Sequence, residues 1–342
     1  MTDKIAINGR CFTRRITGVE RYAHEIISKR IQPSPQIIAP KKILSRYSGH
    51  LWEQLILPTK LHGKQILWSP ANAGPWLVQN QVITLHDASI FDHPEWFQPL
   101  FAAWTRLSWK ILASRARAII TVSEFSRERL KHYLKISENK IHVIYNGVGK
   151  PFEMQTQKKI KEFQDIYSIV KPYFLFVGTH EPRKNLRNLI YAWKQSNLID
   201  HTLIVAGTRG NIFADSIAHS DESDNIKWLG YISDNYLPAL YAGATAAIIP
   251  SFYEGFGLTA LEAMACGAPL ITSNTSSFPE IVEGAALQIN PQQVTEIAHA
   301  MQKIIEDSRL TNRLREFGLR RARDFSWDTA ARNTQALLES FQ

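Results

Sequence analysis

Twelve short apolar runs punctuate the chain, and most are followed by a stretch with helical spacing. In the first half they are IAING (5–9), QIIA (36–39), QILWS (65–69), VITLH (82–86), AIITVS (118–123) and IHVIY (141–145). In the second half they are YFLFVG (173–178), TLIVAG (202–207), IKWLG (226–230), AAIIP (246–250), PLITS (269–273) and ALQI (286–289). The runs are rich in β-branched residues and nearly continuously apolar, as strands buried on both faces must be. Between them, Val19, Tyr22, Ala23, Ile26 and Ile27 share one helical face, and Leu237, Leu240 and Tyr241 form part of another. Strands alternating with amphipathic helices predict an α/β fold with doubly wound parallel sheets.

The alternation pauses over 148–172, which is polar, Lys-rich and without a clear strand. It reads as an interdomain linker carrying one helix. The pattern restarts at Tyr173, and from Pro291 onward it is helical. The chain therefore reads as two Rossmann-like domains, 1–160 and 161–325, facing each other across a cleft. The last helix, about 326–342, is expected to return to the first domain. In such sheets ligands bind beyond the carboxyl ends of the strands.

Composition narrows the class. The 342 residues are 44% hydrophobic and 21% charged, which is ordinary globular usage. No apolar run approaches the ~18 residues of a spanning helix. The N-terminus, MTDKIAINGR, has no apolar core of signal-peptide length. Cys11 and Cys266 match no metal or redox spacing. These features predict a cytoplasmic protein. The net charge of +9 is uneven: residues 1–170 hold 25 Lys and Arg against 13 Asp and Glu, and residues 171–342 hold 15 against 18. A basic half suggests an anionic partner such as a phosphorylated substrate or a membrane surface. It equally describes a solvated basic surface. Nucleic acid is not expected, because the basic residues are not interleaved as a stacking platform.

The sharpest local signal is SFYEGFGLTALEAMACGAPLI (251–271). A strand ends at Pro250, a loop with Gly255 and Gly257 follows, and a helix is predicted from Leu258. Glycine lets a backbone approach a ligand closely, and a fresh helix N-terminus seats phosphate. Glu254 ahead of that seat repels phosphate and suits sugar hydroxyls, which donate to carboxylates. A plain Gly-rich turn with Glu254 as a helix-start charge remains the simpler reading of the same residues.

Glu254 and Glu262, eight residues apart within EGFGLTALEAMACG, resemble the signature of retaining family-four glycosyltransferases, which have the GT-B fold. The resemblance extends over ITGVERYAHEI (16–26), LHDASIFDHPEWF (85–97), IITVSEFSRERL (119–130), VIYNGV (143–148), FVGTHEPRKNLRNLI (176–190), LGYISDNYLPALYAGA (229–244) and SNTSSFPEIV (273–282). It implies transfer of a sugar from a nucleotide-diphosphate sugar with retained anomeric configuration and without a bound metal or other cofactor. Glu254 then resembles the donor-sugar carboxylate, and the amides around Phe256, Gly257, Leu258 and Thr259 hold sugar hydroxyls and diphosphate. Glu262 corresponds to the carboxylate that receives the ribose hydroxyls, and Tyr231 belongs with the nucleotide site. Lys184 occupies the place of the Lys that grips the diphosphate. The family often has an Arg directly after the strand-ending Gly, where this chain has Thr179. Arg183 is the expected substitute, since its fork suits phosphate oxygens.

In the first half, Thr17-Gly18 resembles the family's Gly loop over the diphosphate. It also reads as a helix cap, because Thr17 with Glu20 three residues on makes a capping box. His86 takes the place of the family's His beside the anomeric carbon and acceptor. Asp87 and Ser123 are the other acceptor-side candidates. The family is described as reacting on one face, a donor phosphate oxygen taking the acceptor proton. The versions HEPRKN and HDASIFDHPEWF look most like bacterial mannosyltransferases of O-antigen and exopolysaccharide assembly, which favours GDP-mannose as donor. UDP-hexose and rhamnosyl donors stay open, as do an epimerase and a binding protein. The expected acceptor is a saccharide or lipid-linked oligosaccharide. Residues 100–118, with Trp104, Trp109 and Leu112 beside Arg106, Lys110, Arg115 and Arg117, are the expected contact with an anionic membrane.

Overall fold

Each apolar run forms a parallel strand. The computed structural model describes residues 4–13, 17–29, 35–41, 49–208 and 225–342; Ile16, at the start of ITGVERYAHEI, lies outside them. The first sheet holds β1 (Ile5–Asn8), β2 (Gln36–Ile38), β3 (Ile66–Ser69), β4 (Gln81–Thr84), β5 (Ala118–Thr121) and β6 (Ile141–Val143), in the order β2-β1-β3-β4-β5-β6. The second holds β7 (Tyr173–Val177), β8 (Thr202–Ala206), β9 (Ile226–Gly230), β10 (Ala246–Ile249), β11 (Leu270–Ser273) and β12 (Leu287–Ile289), in the order β12-β11-β10-β7-β8-β9. β3 and β4 are buried at every position, as are β5, β10 and β11. That two-sided burial is why their sequences show no polar alternation.

The chain divides into two units: residues 1–94, 99–147 and 326–342, and residues 95–98 and 148–325. In the first unit Ala6, Ile38 and Leu67 of the sheet pack with Trp52 and Leu57. The final helix, Trp327–Glu339, lies against helix Gly18–Ser28, with the Trp327 and Tyr22 rings 6.2 Å apart. Gly147 sits so close to that helix that a Cβ there would stand 2.0 Å from the Trp327 nitrogen.

In the second unit Phe174, Leu203, Val205 and Ile248 pack under the helices Leu186–Ser196 and Val294–Glu306. The stretch expected as a linker, 148–172, is folded into this unit. Its helix Gln157–Ile166 buries Ile160 and Phe163, and Phe163 packs on Tyr167 at 4.6 Å and Tyr236 at 6.2 Å. The unit's two ends meet, Val148 N donating to Phe325 O at 3.2 Å.

Helix Pro99–Arg115 corrects one expectation. Trp109 and Leu112 point into the first unit's core, and Trp109 Nε1 donates to Asn72 O at 2.8 Å. They share an inward face with Ala102 and Ala113, so they are not available to a membrane.

Candidate active site

The chain reverses direction across the second sheet at β7. It runs outward through β8 and β9, then returns to place β10 on the other side of β7. A reversal of this kind leaves a crevice between the two loops that leave neighbouring strands. From β7 the chain reaches a tight turn, Pro182–Lys184; from β10 it runs through 250–257 into helix Leu258–Ala265. The loops are tied together. Phe252 N donates to Arg183 O at 2.8 Å. Asn185, left-handed at φ 58°, reaches across to donate to Pro250 O at 3.0 Å and Pro291 O at 2.7 Å.

These ties bring Lys184, Arg183 and Glu254 together. Lys184 Nζ donates to Glu254 Oε1 at 2.6 Å, and Arg183 Nη1 to Oε2 at 3.2 Å. Ser251 Oγ adds a bond to Oε1 at 3.0 Å. Arg183 Nε donates to Glu181 at 2.6 Å, and the Thr179 hydroxyl also rests on Glu181. Burial alone would raise the Glu254 carboxyl. Lys184 and Arg183 beside it, with the bonds from Lys184 and Ser251, hold it below its ordinary value. Two cations thus face two carboxylates, and the four side chains sum to zero charge. Thr179 carries no positive charge, and the cations here are Arg183 and Lys184 of the turn Pro182–Lys184.

The loop then delivers a helix N-terminus. Gly257 takes φ 94°, and a Cβ there would press to 2.8 Å from the Phe278 ring. Leu258 and Thr259 open the helix, so their N–H groups have no intrahelical acceptor. The Thr259 hydroxyl oxygen is buried without a hydrogen-bond partner. Orphaned N–H groups of this kind are what a helix N-terminus can offer to an anion. Phe256 contributes only backbone, because its ring is buried 5.6 Å from that of Phe325. Glu262, buried one turn further on, accepts from Tyr241 OH at 3.3 Å. Tyr231 is exposed after β9, three strand positions from β10. No described group of three or more His, Cys, Asp or Glu side chains is arranged to hold a metal ion.

The first unit carries a second polar cluster at the carboxyl ends of its strands. His86 is buried after β4. Its backbone N donates to Asn72 Oδ1 at 2.8 Å, its Nε2 bonds Pro70 O at 2.9 Å, and the Tyr22 ring meets it edge-on at 4.8 Å. A carbonyl oxygen only accepts, so Nε2 carries the proton. Burial lowers the ring's pKa, against the opposing pulls of Pro70 O, Asp87 and Glu20. The ring is therefore neutral near pH 7 with its lone pair on Nδ1. Asp87 caps the next turn, accepting from Ser89 N at 2.9 Å and Ser89 Oγ at 2.6 Å. Ser123 is fully buried, and its oxygen accepts from Ser126 N at 3.1 Å as the cap of helix Glu124–Leu134. Gly18 is exposed, and Thr17 N donates to Glu20 at 3.2 Å in the expected capping box.

Sequence reasoning missed a buried ion pair at the first sheet's own reversal, between β1 and β3. Arg10 Nη1 donates to Glu53 at 2.6 Å, and Asn8 Nδ2 donates to Glu53 at 2.6 Å and to Ser69 at 3.4 Å. The only available signal was the single Glu in the apolar run LWEQLI. Asn72 was missed too; it holds a left-handed φ of 57° and binds His86 through its side chain.

His86 yields a pH prediction. Its native pKa lies below the ordinary 6.5, so the neutral ring stabilises the fold above that value. The contribution is lost as pH falls through the native value. A ring titration by NMR should place His86 below 6.5; a midpoint above 6.5 would remove the neutral-ring assignment.

Comparison with known proteins identifies the chain. Residues 158–321 match the family described as glycosyl transferases group 1, and residues 56–149 match glycosyltransferase family 4. O-antigen chain mannosyltransferase B of Escherichia coli is 34% identical over 272 residues, 76% of this chain and 70% of that protein. O-antigen chain mannosyltransferase RfbU of Salmonella typhimurium is 29% identical over 260 residues, 75% of this chain and 70% of that protein. Among solved structures, HepE of Anabaena in complex with UDP-glucose superposes with a TM-score of 0.77 at 18% identity, covering 98% of this chain and 99% of HepE. WaaG, a glycosyltransferase involved in lipopolysaccharide biosynthesis, gives 0.74 at 13% identity, covering 98% and 99%. Such structural likeness at low identity speaks for the fold, and the sequence relatives speak for the chemistry: the chain is a glycosyltransferase with the GT-B fold and belongs to the family-four glycosyltransferases.

Proposed function

We propose that this enzyme is a retaining, metal-independent hexosyltransferase that moves mannose from GDP-mannose to a saccharide or lipid-linked oligosaccharide in cell-surface polysaccharide synthesis. The observation that carries the reading is the Lys184–Glu254–Arg183 cluster at the β7/β10 reversal, four residues ahead of an open helix N-terminus. Glu254 binds the donor sugar. Lys184, Arg183 and the amides of Leu258 and Thr259 receive the diphosphate, and Glu262 and Tyr231 serve the nucleotide. In the first unit Gly18 approaches the diphosphate, while His86 and Asp87 serve the acceptor. Ser123 joins them only as the cap that fixes its loop.

Glycosyl transfer passes through an oxocarbenium-like state while negative charge grows on the leaving diphosphate. Something must meet that charge. Lys184 and Arg183 supply it when they turn from Glu254 and Glu181 to phosphate oxygens, and the fixed helix dipole adds to it. The neutral His86 offers Nδ1 as a hydrogen-bond acceptor to a sugar hydroxyl. A lipid-linked acceptor also requires the enzyme to work at a membrane surface. The basic excess of residues 1–170 and the cations of residues 100–118 support peripheral contact with anionic lipid on the cytoplasmic side.

The mannose assignment rests on similarity to the two O-antigen mannosyltransferases. Thermal unfolding against a nucleotide and nucleotide-sugar panel tests it, because a ligand of the native state raises the midpoint. GDP and GDP-mannose should raise it most, and mannose transfer should persist in EDTA. A rise with uridine nucleotides alone reassigns the donor. Loss of turnover in EDTA removes metal independence. Sugar interconversion without acceptor would make the enzyme an epimerase.

A further inference from the structure

An apolar ridge crosses three segments of the first unit. Leu51 and Leu55 flank and join the π-helical turn Trp52–Ile56, Leu77 stands in the loop between β3 and β4, and Leu100, Trp104 and Leu107 follow one another along helix Pro99–Arg115. Leu100, Leu77, Leu55 and Leu51 are 88%, 74%, 66% and 64% exposed. Single exposed leucines are ordinary on protein surfaces, but a joined set is not.

Hydrogen bonds and ring contacts join these segments. Gln54 Nε2 donates to Gly74 O at 3.0 Å, and its Oε1 accepts from Trp76 N at 2.9 Å. Trp76 lies 5.0 Å from Trp104, and its Nε1 donates to Ser108 at 2.9 Å. The His50 ring meets Trp104 at 6.4 Å. The inward side of the same turn is occupied, since Trp52 and Leu57 fill the core with Ala6, Ile38 and Leu67. The leucines beside them have no core to enter.

Charge selects the partner. Residues 54–86 and 96–123 contain no Asp or Glu. They do carry Lys60, Lys64, Arg106, Lys110, Arg115 and Arg117, all exposed. Arg115 Nη1 is fixed on Trp76 O at 3.2 Å, next to Leu77. Glu53, the one acid in residues 49–86, is buried and paired with Arg10. Leucines on segments 54–86 and 96–123, where every charged side chain is a Lys or Arg, with a tryptophan beside them, suit the boundary between lipid headgroups and acyl chains.

We propose that this ridge seats the enzyme on an anionic bilayer, its leucines entering the acyl boundary while the Lys and Arg side chains meet the headgroups. The inference rests on the reading that the enzyme works at a membrane, and it assigns the contact to the ridge rather than to basic charge alone. Cations by themselves give binding that vanishes with screening, whereas inserted leucines leave a residue of binding in high salt.

Sedimentation with vesicles of phosphatidylglycerol and phosphatidylethanolamine tests it. The wild-type enzyme should bind at low salt and retain part of that binding at high salt. Leu55→Ser with Leu100→Ser should lower the partition coefficient about tenfold or more at either salt. Val170→Ser with Ile199→Ser, equally exposed positions of the second unit, should leave it unchanged. Both double variants should keep the wild-type Tm and turnover with a water-soluble acceptor. If the wild type binds and Leu55→Ser/Leu100→Ser binds equally well, the ridge assignment is overturned and the membrane reading stands. If the wild type binds no vesicle, both fail. Lipid-free self-association that disappears in Leu55→Ser/Leu100→Ser would overturn the proposal by making the ridge a protein interface.

Discussion

Lys184→Ala should lower turnover by about 100-fold or more, the usual cost of losing a group that meets developing charge. It should also weaken GDP binding while leaving guanosine binding almost unchanged. The argument is one of charge. Lys184 and Arg183 balance Glu181 and Glu254 in the resting site. Removing the Lys leaves one net negative charge where the proposed diphosphate would enter. It also leaves Arg183 as the sole cation on a buried Glu254, which withdraws the second phosphate ligand. Glu254→Gln makes the opposite change: the site gains a net positive charge. That variant should bind GDP at least as tightly as the wild type yet transfer sugar far more slowly, because the sugar loses its carboxylate. Calorimetry with GDP and guanosine, set beside turnover, checks both variants. Equal losses of guanosine and GDP in Lys184→Ala would sink the diphosphate role.

Gly147→Ala should destabilise the fold by more than about 3 kcal/mol, in the range of severe packing faults. The added Cβ would lie 2.0 Å from Trp327 N and 2.4 Å from Ser326 C. These are backbone atoms, so no rotamer change relieves the clash. The final helix must shift, carrying Trp327 away from Tyr22 and disturbing the ring that meets His86 edge-on. Denaturant unfolding measures the loss; a change below about 1 kcal/mol would mean that the helix docks loosely.

The strands were legible because parallel sheets covered on both faces leave nearly unbroken apolar runs, as in YFLFV and AAII. The loop after β10 and the helix from Leu258 were legible for a different reason: Glu254, Gly257 and Glu262 crowd into nine residues. What stayed hidden lies in pairings across sequence. Nothing local marks Asn8, Arg10 and Glu53 as one cluster, since 45 residues separate Asn8 from Glu53. Composition also misled at residues 100–118. Aromatic and basic residues mingle there, but helical geometry sends Trp109 and Leu112 inward and Leu100, Trp104 and Leu107 outward. Only the backbone separates the two sets.

The meeting of Val148 with Phe325, and of Gly147 with Trp327, gives the enzyme a modular genetic form. Apart from Glu95–Gln98, the second unit is one uninterrupted passage inserted into the first at a single spot. Its entrance and exit are already neighbours, so closing that loop costs little chain entropy. An exchange of that passage between related genes would rejoin the host chain where its ends already touch. Donor choice could then be inherited separately from the leucine ridge and the first unit.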